Sequence, residues 1–372
     1  MFRGRRVVQD EIVAGYMRTF FRNAAFGPSK RDHPSSLARS YGQHLWRELR
    51  RDQYPSLRRT SAPFRSRFNI SLATSGAGAV GFEQLTKRVS LVSDTLLLSH
   101  GHSGPFHELG ETSVSTPTID VYSPSVLVDA PDGPTQRYGM YCPDLGELGR
   151  WIHSFTPLLK AGLAWYVPTY SMTYGDGYFS TKDDVEPIAS LDWLTIIDFL
   201  VEDGRAVDAS GEQPIKSQLV RPILEIDLPF VEGVDARTFS KVTIDEFASY
   251  SAFRDFLRRR LLDMDDSLNA VQSEREIVKL GLDIKDQIRA AGAEMAKAKR
   301  KRALAASGAV VGSVGASLVA VYGPALAAVV AALGAGSGVW GMLNAAADTS
   351  PRAIREDTWY YVWVLQKKST WR

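Results

Sequence analysis

One cysteine, Cys142, stands in the whole chain. That excludes an intramolecular disulfide and every zinc-finger spacing, and it favours a reducing compartment. No phosphate-binding G-x-x-x-x-G-K-[ST] loop occurs, nor a G-x-S-x-G nucleophile elbow. No apolar run follows the amino-terminal MFRGRR, so no secretory signal is read there. Asp10 and Glu11 argue against an organellar transit segment, because such segments avoid acids. The longest absence is of charge. No Asp, Glu, Lys, Arg or His occurs from Ala303 through Ala347.

What is present fits a folded protein. Hydrophobic residues are 44% and charged residues 23% of 372, enough apolar material for a sizeable core and too little charge for wholesale disorder. The length suggests two domains, or one with appendages. Arg outnumbers Lys heavily, which points to a GC-rich, bacterial source. The net charge of +2 hides an asymmetry. Met1 to Phe68 carries fifteen basic residues against five acidic, and Asp176 to Asp235 carries fourteen acidic against four basic. These regions would attract each other, or form two differently solvated surfaces.

Residues 9–26 and 36–51 repeat apolar positions every four residues (Ile12, Tyr16, Phe20; then Leu37, Tyr41, Leu45, Leu49) and predict two helices in a basic region, 1–67. From 68 to 239 the pattern becomes short strand-like runs, FNISLA, VSLVSDTLLLSH, IDVYSPSVLVDA and AGLAWYVP. A helix, LGELGRWIHSFTPLLKAG, lies directly before the last of these. A helix at 190–203 and a strand over LVRPILEIDLP complete a mixed α/β domain. Residues 240–302 read as long helices, with a capping box at Thr243 and Glu246 and a narrow stripe of Val271, Val278, Leu282 and Ile288. The aromatic tail, 348–372, reads as a strand or an interfacial segment, with the strand preferred. The expected fold class is therefore a mixed α+β or α/β body with a C-terminal helical region, its long helix leading into a Gly/Ala-rich helical hairpin.

That hairpin is the uncharged stretch 303–347. Gly323-Pro324 divides it, and each half would span about 30 Å as a helix, the thickness of a bilayer core. The small-residue pairs Gly308/Gly312 and Gly334/Gly338 form a glycine zipper through which helices approach closely or self-associate. Lys297, Lys299, Arg300, Lys301 and Arg302 flank it. These features predict a transmembrane pair, 303–322 and 324–345, in the cell membrane with both termini cytoplasmic. A buried hairpin in a cytoplasmic protein is the alternative, since 15 Ala and 8 Gly make the stretch more uncharged than apolar.

Gly76-Ala-Gly78-Ala-Val-Gly81 matches G-x-G-x-x-G after a predicted strand. The helix that should follow has room only between Phe82 and Arg88, shorter than a usual crossover. The segment is therefore read as a Gly/Ala turn, and no cofactor is assigned to it. The run LLLSHGHSGPFHELG gathers His100, His102 and His107. Its start resembles the metallo-β-lactamase motif, a strand leading into His-x-His-x-Asp-His, over about six residues. His100 and His102 match. Gly104 and Pro105 replace the Asp-His pair, His107 comes two positions late, and only His153 remains downstream. A zinc or iron site using His100, His102, His107 and Glu108 is the metal expectation. Asp198 and Glu202, four apart, would share a helix face, most simply a solvated acidic one.

The basic region, densest at Arg47, Arg50, Arg51, Arg58 and Arg59, would meet lipid headgroups sooner than nucleic acid. The sequence thus predicts a membrane-associated protein with a cytoplasmic α/β body and a binding, sensing or membrane-perturbing role. The alternative is a soluble enzyme, metal-dependent or not, with its site near His100–His107. No reaction is specified.

Overall fold

Ile70–Thr74 is buried along its entire length, and so is Leu96–Ser99. Continuous burial marks strands covered on both faces, as in parallel sheets. The computed structural model describes residues 7–23, 33–51, 67–74, 81–113, 135–173, 185–187, 197–202, 205–208, 214–264, 270–306 and 357–369. The chain divides into two units, Met1–Leu224 and Glu225–Arg372.

The first unit is mixed α and β. It runs α1 (Glu11–Asn23), α2 (Pro34–Arg51), β1 (Ile70–Thr74), α3 (Phe82–Val89), β2 (Leu96–Ser99), β3 (Phe106–Ser113), β4 (Thr135–Tyr141), α4 (Leu145–Ser154) and α5 (Thr156–Ala161). It continues with β5 (Ala164–Tyr166), β6 (Tyr170–Thr173), β7 (Val185–Pro187), β8 (Phe199–Glu202), β9 (Arg205–Asp208) and α6 (Pro214–Glu225). One sheet has the order β5-β2-β1-β8-β9, the first four strands parallel and β9 antiparallel at the edge. The other, β3-β4-β6-β7, is antiparallel. From β1 the chain moves outward through β2 to β5, then returns to lay β8 on the opposite side of β1.

Helices α1 and α2 bury their apolar stripes, Val13, Met17 and Phe20 and then Leu37, Tyr41 and Leu45. The Tyr41 hydroxyl donates to the Tyr166 carbonyl at 2.8 Å, and Tyr170 donates to the Gly42 carbonyl at 2.7 Å. These bonds tie α2 to β5 and β6. Asp144 starts α4 by accepting the Gly146 and Glu147 amides at 2.6 and 3.0 Å, so its carboxyl titrates below the ordinary range.

Several expectations are corrected here. Residues 199–202 are strand β8: Phe199 and Val201 are buried while Leu200 and Glu202 face out, a period of two. Asp198 and Glu202 thus share no helix face. LVRPILE lies within helix α6 and buries Leu219, Val220 and Ile223 despite the internal Pro222. Helix α3 has the short span the sequence allowed after the glycine-rich segment, and it lies between the parallel neighbours β1 and β2. The whole connection, Ser75–Thr95, supplies the crossover length that the helix alone lacks.

The second unit is helical: α7 (Pro229–Glu232), α8 (Ala236–Asp245), α9 (Phe247–Leu262), α10 (Ala270–Ala306) and α11 (Thr358–Ser369). The tail is thus a helix and not a strand, with Trp359, Tyr361, Val362 and Leu365 buried. Tyr361 shares a 2.9 Å hydrogen bond with Thr243, and Trp359 lies edge-on to Phe253 and Phe256. Thr243 is inside α8 and bonds the Phe239 carbonyl, so it caps nothing. The buried stripe of α10 is Ile277, Leu280, Ile284 and Ile288, while Val278 and Leu282 are exposed.

The membrane expectation is also corrected. Among the described residues no helix is long and apolar enough to cross a membrane. The transmembrane pair and the cell-membrane location therefore lose their support. Helix α10 is long enough but carries charge on nearly every turn, including Lys297, Lys299, Arg300, Lys301 and Arg302. Its described residues reach into the uncharged stretch, to Ala306. Gly308, Gly312, Gly334 and Gly338 lie outside the described residues.

Asp357 precedes α11, and its carboxylate accepts the Trp359 amide at 2.8 Å. Burial outweighs that bond and raises the carboxyl to about 6. A carboxyl raised on folding stabilises the folded state fully below its ordinary value of 3.8, and that stabilisation is lost as pH rises through about 6. Asp357→Asn is expected to remove a pH-dependent component of about 1–2 kcal/mol, after allowing for solvent around the half-buried group. Denaturant unfolding of wild type and variant at pH 4 and 7, followed by tryptophan fluorescence, checks this.

Candidate functional site at the carboxyl end of the parallel sheet

In an open α/β sheet, ligands bind outside the carboxyl ends of the strands, where the strand order reverses. Here that place is the end of β1, flanked by β2 and β8. Thr74 ends β1, and Gly81 precedes α3. Between them the sequence reads Ser75-Gly76-Ala77-Gly78-Ala79-Val80, outside the described residues.

Gly81 has ordinary backbone angles, φ −56° and ψ 148°, and no side chain caps α3. The first amides of a helix lack intrahelical acceptors, so an uncapped start favours negative charge. Among the described residues a methyl group at Gly81 would meet only Glu147 Oε1, at 3.5 Å. The first turn of α3 is held from behind. Trp151 Nε1 donates to Thr86 Oγ1 at 2.8 Å, and Thr86 donates to the Phe82 carbonyl at 2.6 Å.

His100 follows β2 directly. Its ring stacks on Phe82 with centroids 4.3 Å apart and planes 16° off parallel, and lies edge-on to Tyr166. Its Nδ1 is 3.1 Å from the Tyr166 hydroxyl. Burial lowers the imidazole to about 4 and holds the Tyr166 phenol well above its ordinary value. Both are neutral at pH 7. Among the described residues the phenol has no other acceptor, so its proton is assigned to the bond toward Nδ1, and the ring proton to Nε2. Nε2 has no hydrogen-bond partner among the described residues. His100 thus keeps one N–H donor unpaired among those residues, beside the start of α3.

The loop after β2 turns through Gly101 (φ 55°) and Gly104 (φ 89°). At Gly104 a side chain would also strike the Pro143 backbone nitrogen, 2.5 Å from the added carbon. Ser99 Oγ accepts the Gly101 amide at 3.1 Å and lies 3.5 Å from Thr169 Oγ1. This turn sends the histidines to different places. His102 is exposed against the Tyr141 ring. His107 sits on β3 with Nε2 2.8 Å from the Cys142 carbonyl oxygen. Glu108 is exposed and pairs with Arg137 at 3.7 Å. Among the described residues no group of three or more His, Cys, Asp or Glu is placed to hold a metal ion, these four included. Cys142 is buried and its thiol pushed up to about 12, so it offers no thiolate at neutral pH.

The buried ion pair lies at the other end of the strands. Lys216 reaches both Asp198 oxygens at 2.7 and 2.8 Å, and Asp198 also accepts the Ser71 amide and hydroxyl at 2.8 and 3.0 Å. It fastens the starts of β1 and β8 to α6. The sequence singled out Asp198 but offered no signal for its pairing with Lys216, 18 residues on, or for its bond to Ser71, 127 residues away.

Comparison of the chain with protein-family models, with curated proteins and with solved structures finds no match.

Proposed function

We propose that the first unit binds a phosphate-bearing ligand of the nucleotide class at the carboxyl end of its parallel sheet. The observation that carries this reading is the unit β1, glycine-rich segment, α3, β2, with β1 and β2 parallel neighbours and the strand order reversing beside β1. Glycines at such a turn let backbone amides approach a phosphate, and a helix start favours its charge. Gly76, Gly78 and Gly81 have that spacing in the sequence. Of the histidines in the sequence's alternative site near His100–His107, His100 directly follows β2.

Gly81 makes a clean test. Its φ suits any residue and, among the described residues, an added methyl meets ordinary contact, so Gly81→Ala is expected to cost about 1 kcal/mol or less, from alanine's poorer capping. A phosphate that must approach this backbone would be displaced by the added carbon. Loss of nucleotide affinity of about tenfold or more, about 1.4 kcal/mol, is expected. Calorimetric titration of wild type and variant with ADP, ATP and NAD⁺ reads it. Unchanged affinity in Gly81→Ala, or no binding of any of the three by wild type, overturns the reading.

A further inference from the structure

We draw no further inference here: the strongest candidate, the exposed cross-strand pair of Leu200 and Val207 on the outer face of β8 and β9 at the edge of the parallel sheet, carries nothing, because among the described residues nothing shows what covers it.

Discussion

Asp198→Ala is expected to destabilise the first unit by about 3–5 kcal/mol, the cost of removing one partner from a buried ion pair. The carboxylate is 3% exposed and Lys216 is 8% exposed. Deleting the carboxylate leaves the ammonium buried without its counter-charge and strips acceptors from the Ser71 amide and hydroxyl. Losses of this size are a large fraction of the 5–15 kcal/mol that holds a typical protein folded. Asp198→Asn should lose less, because one amide oxygen still accepts from Ser71. Asp198→Leu with Lys216→Met should recover much of the loss, because no charge then stays buried. Urea unfolding of the four proteins checks the order. An Asp198→Ala protein within 1 kcal/mol of wild type, on the scale of an exposed pair, would show that the pair is not the buried strut described.

Gly149→Ala should be comparably damaging for a different reason. A carbon added there would sit 1.9 Å from the Pro34 carbonyl oxygen and 2.4 Å from its carbon. Both are backbone atoms, so no rotamer change relieves the clash, and α2 must move off α4. The expected cost is about 3 kcal/mol or more, at the upper end for overpacking. Gly15 is the control. It lies on the exposed face of α1, with nothing among the described residues within 4 Å of the added carbon. There the same substitution should stabilise by about 0.5–1 kcal/mol, through helix propensity and a less flexible unfolded chain. Thermal unfolding should move in opposite directions for the two. Equal shifts would contradict the close α2–α4 crossing.

How much of this was legible in the sequence depended on whether the signal was local. The helices α1, α2, α4 and α9 and the strands β1 and β5 declare themselves by period and composition, and the structure has them. LTIIDFLVED satisfies both periods over its short length, and only pairing with β1 makes Phe199–Glu202 a strand. LVRPILE and the aromatic tail are rich in residues that favour strands, yet tertiary burial of one helical face decides both. The glycine-rich segment reads as a turn because α3 is short, and residues 75–95 together join the parallel strands β1 and β2. The histidines were found as a group, but their grouping in sequence suggested a metal. The left-handed turn at Gly101 and the strand pairing of β3 separate them, and only His100 faces the end of β1's connection to α3. The uncharged stretch carried the membrane expectation on composition, and no described helix supports it.

The central claim is that the carboxyl end of the parallel sheet is a ligand site. Hydrogen exchange of the full chain, measured with and without saturating ADP, ATP or NAD⁺, tests it most directly. The account predicts that ligand slows exchange at Thr74–Leu85 and at Leu96–Gly104, with the strand starts near Ser71 and Asp198 unchanged. Protection confined to other parts of the chain, or no protection with any of the three nucleotides, would contradict it.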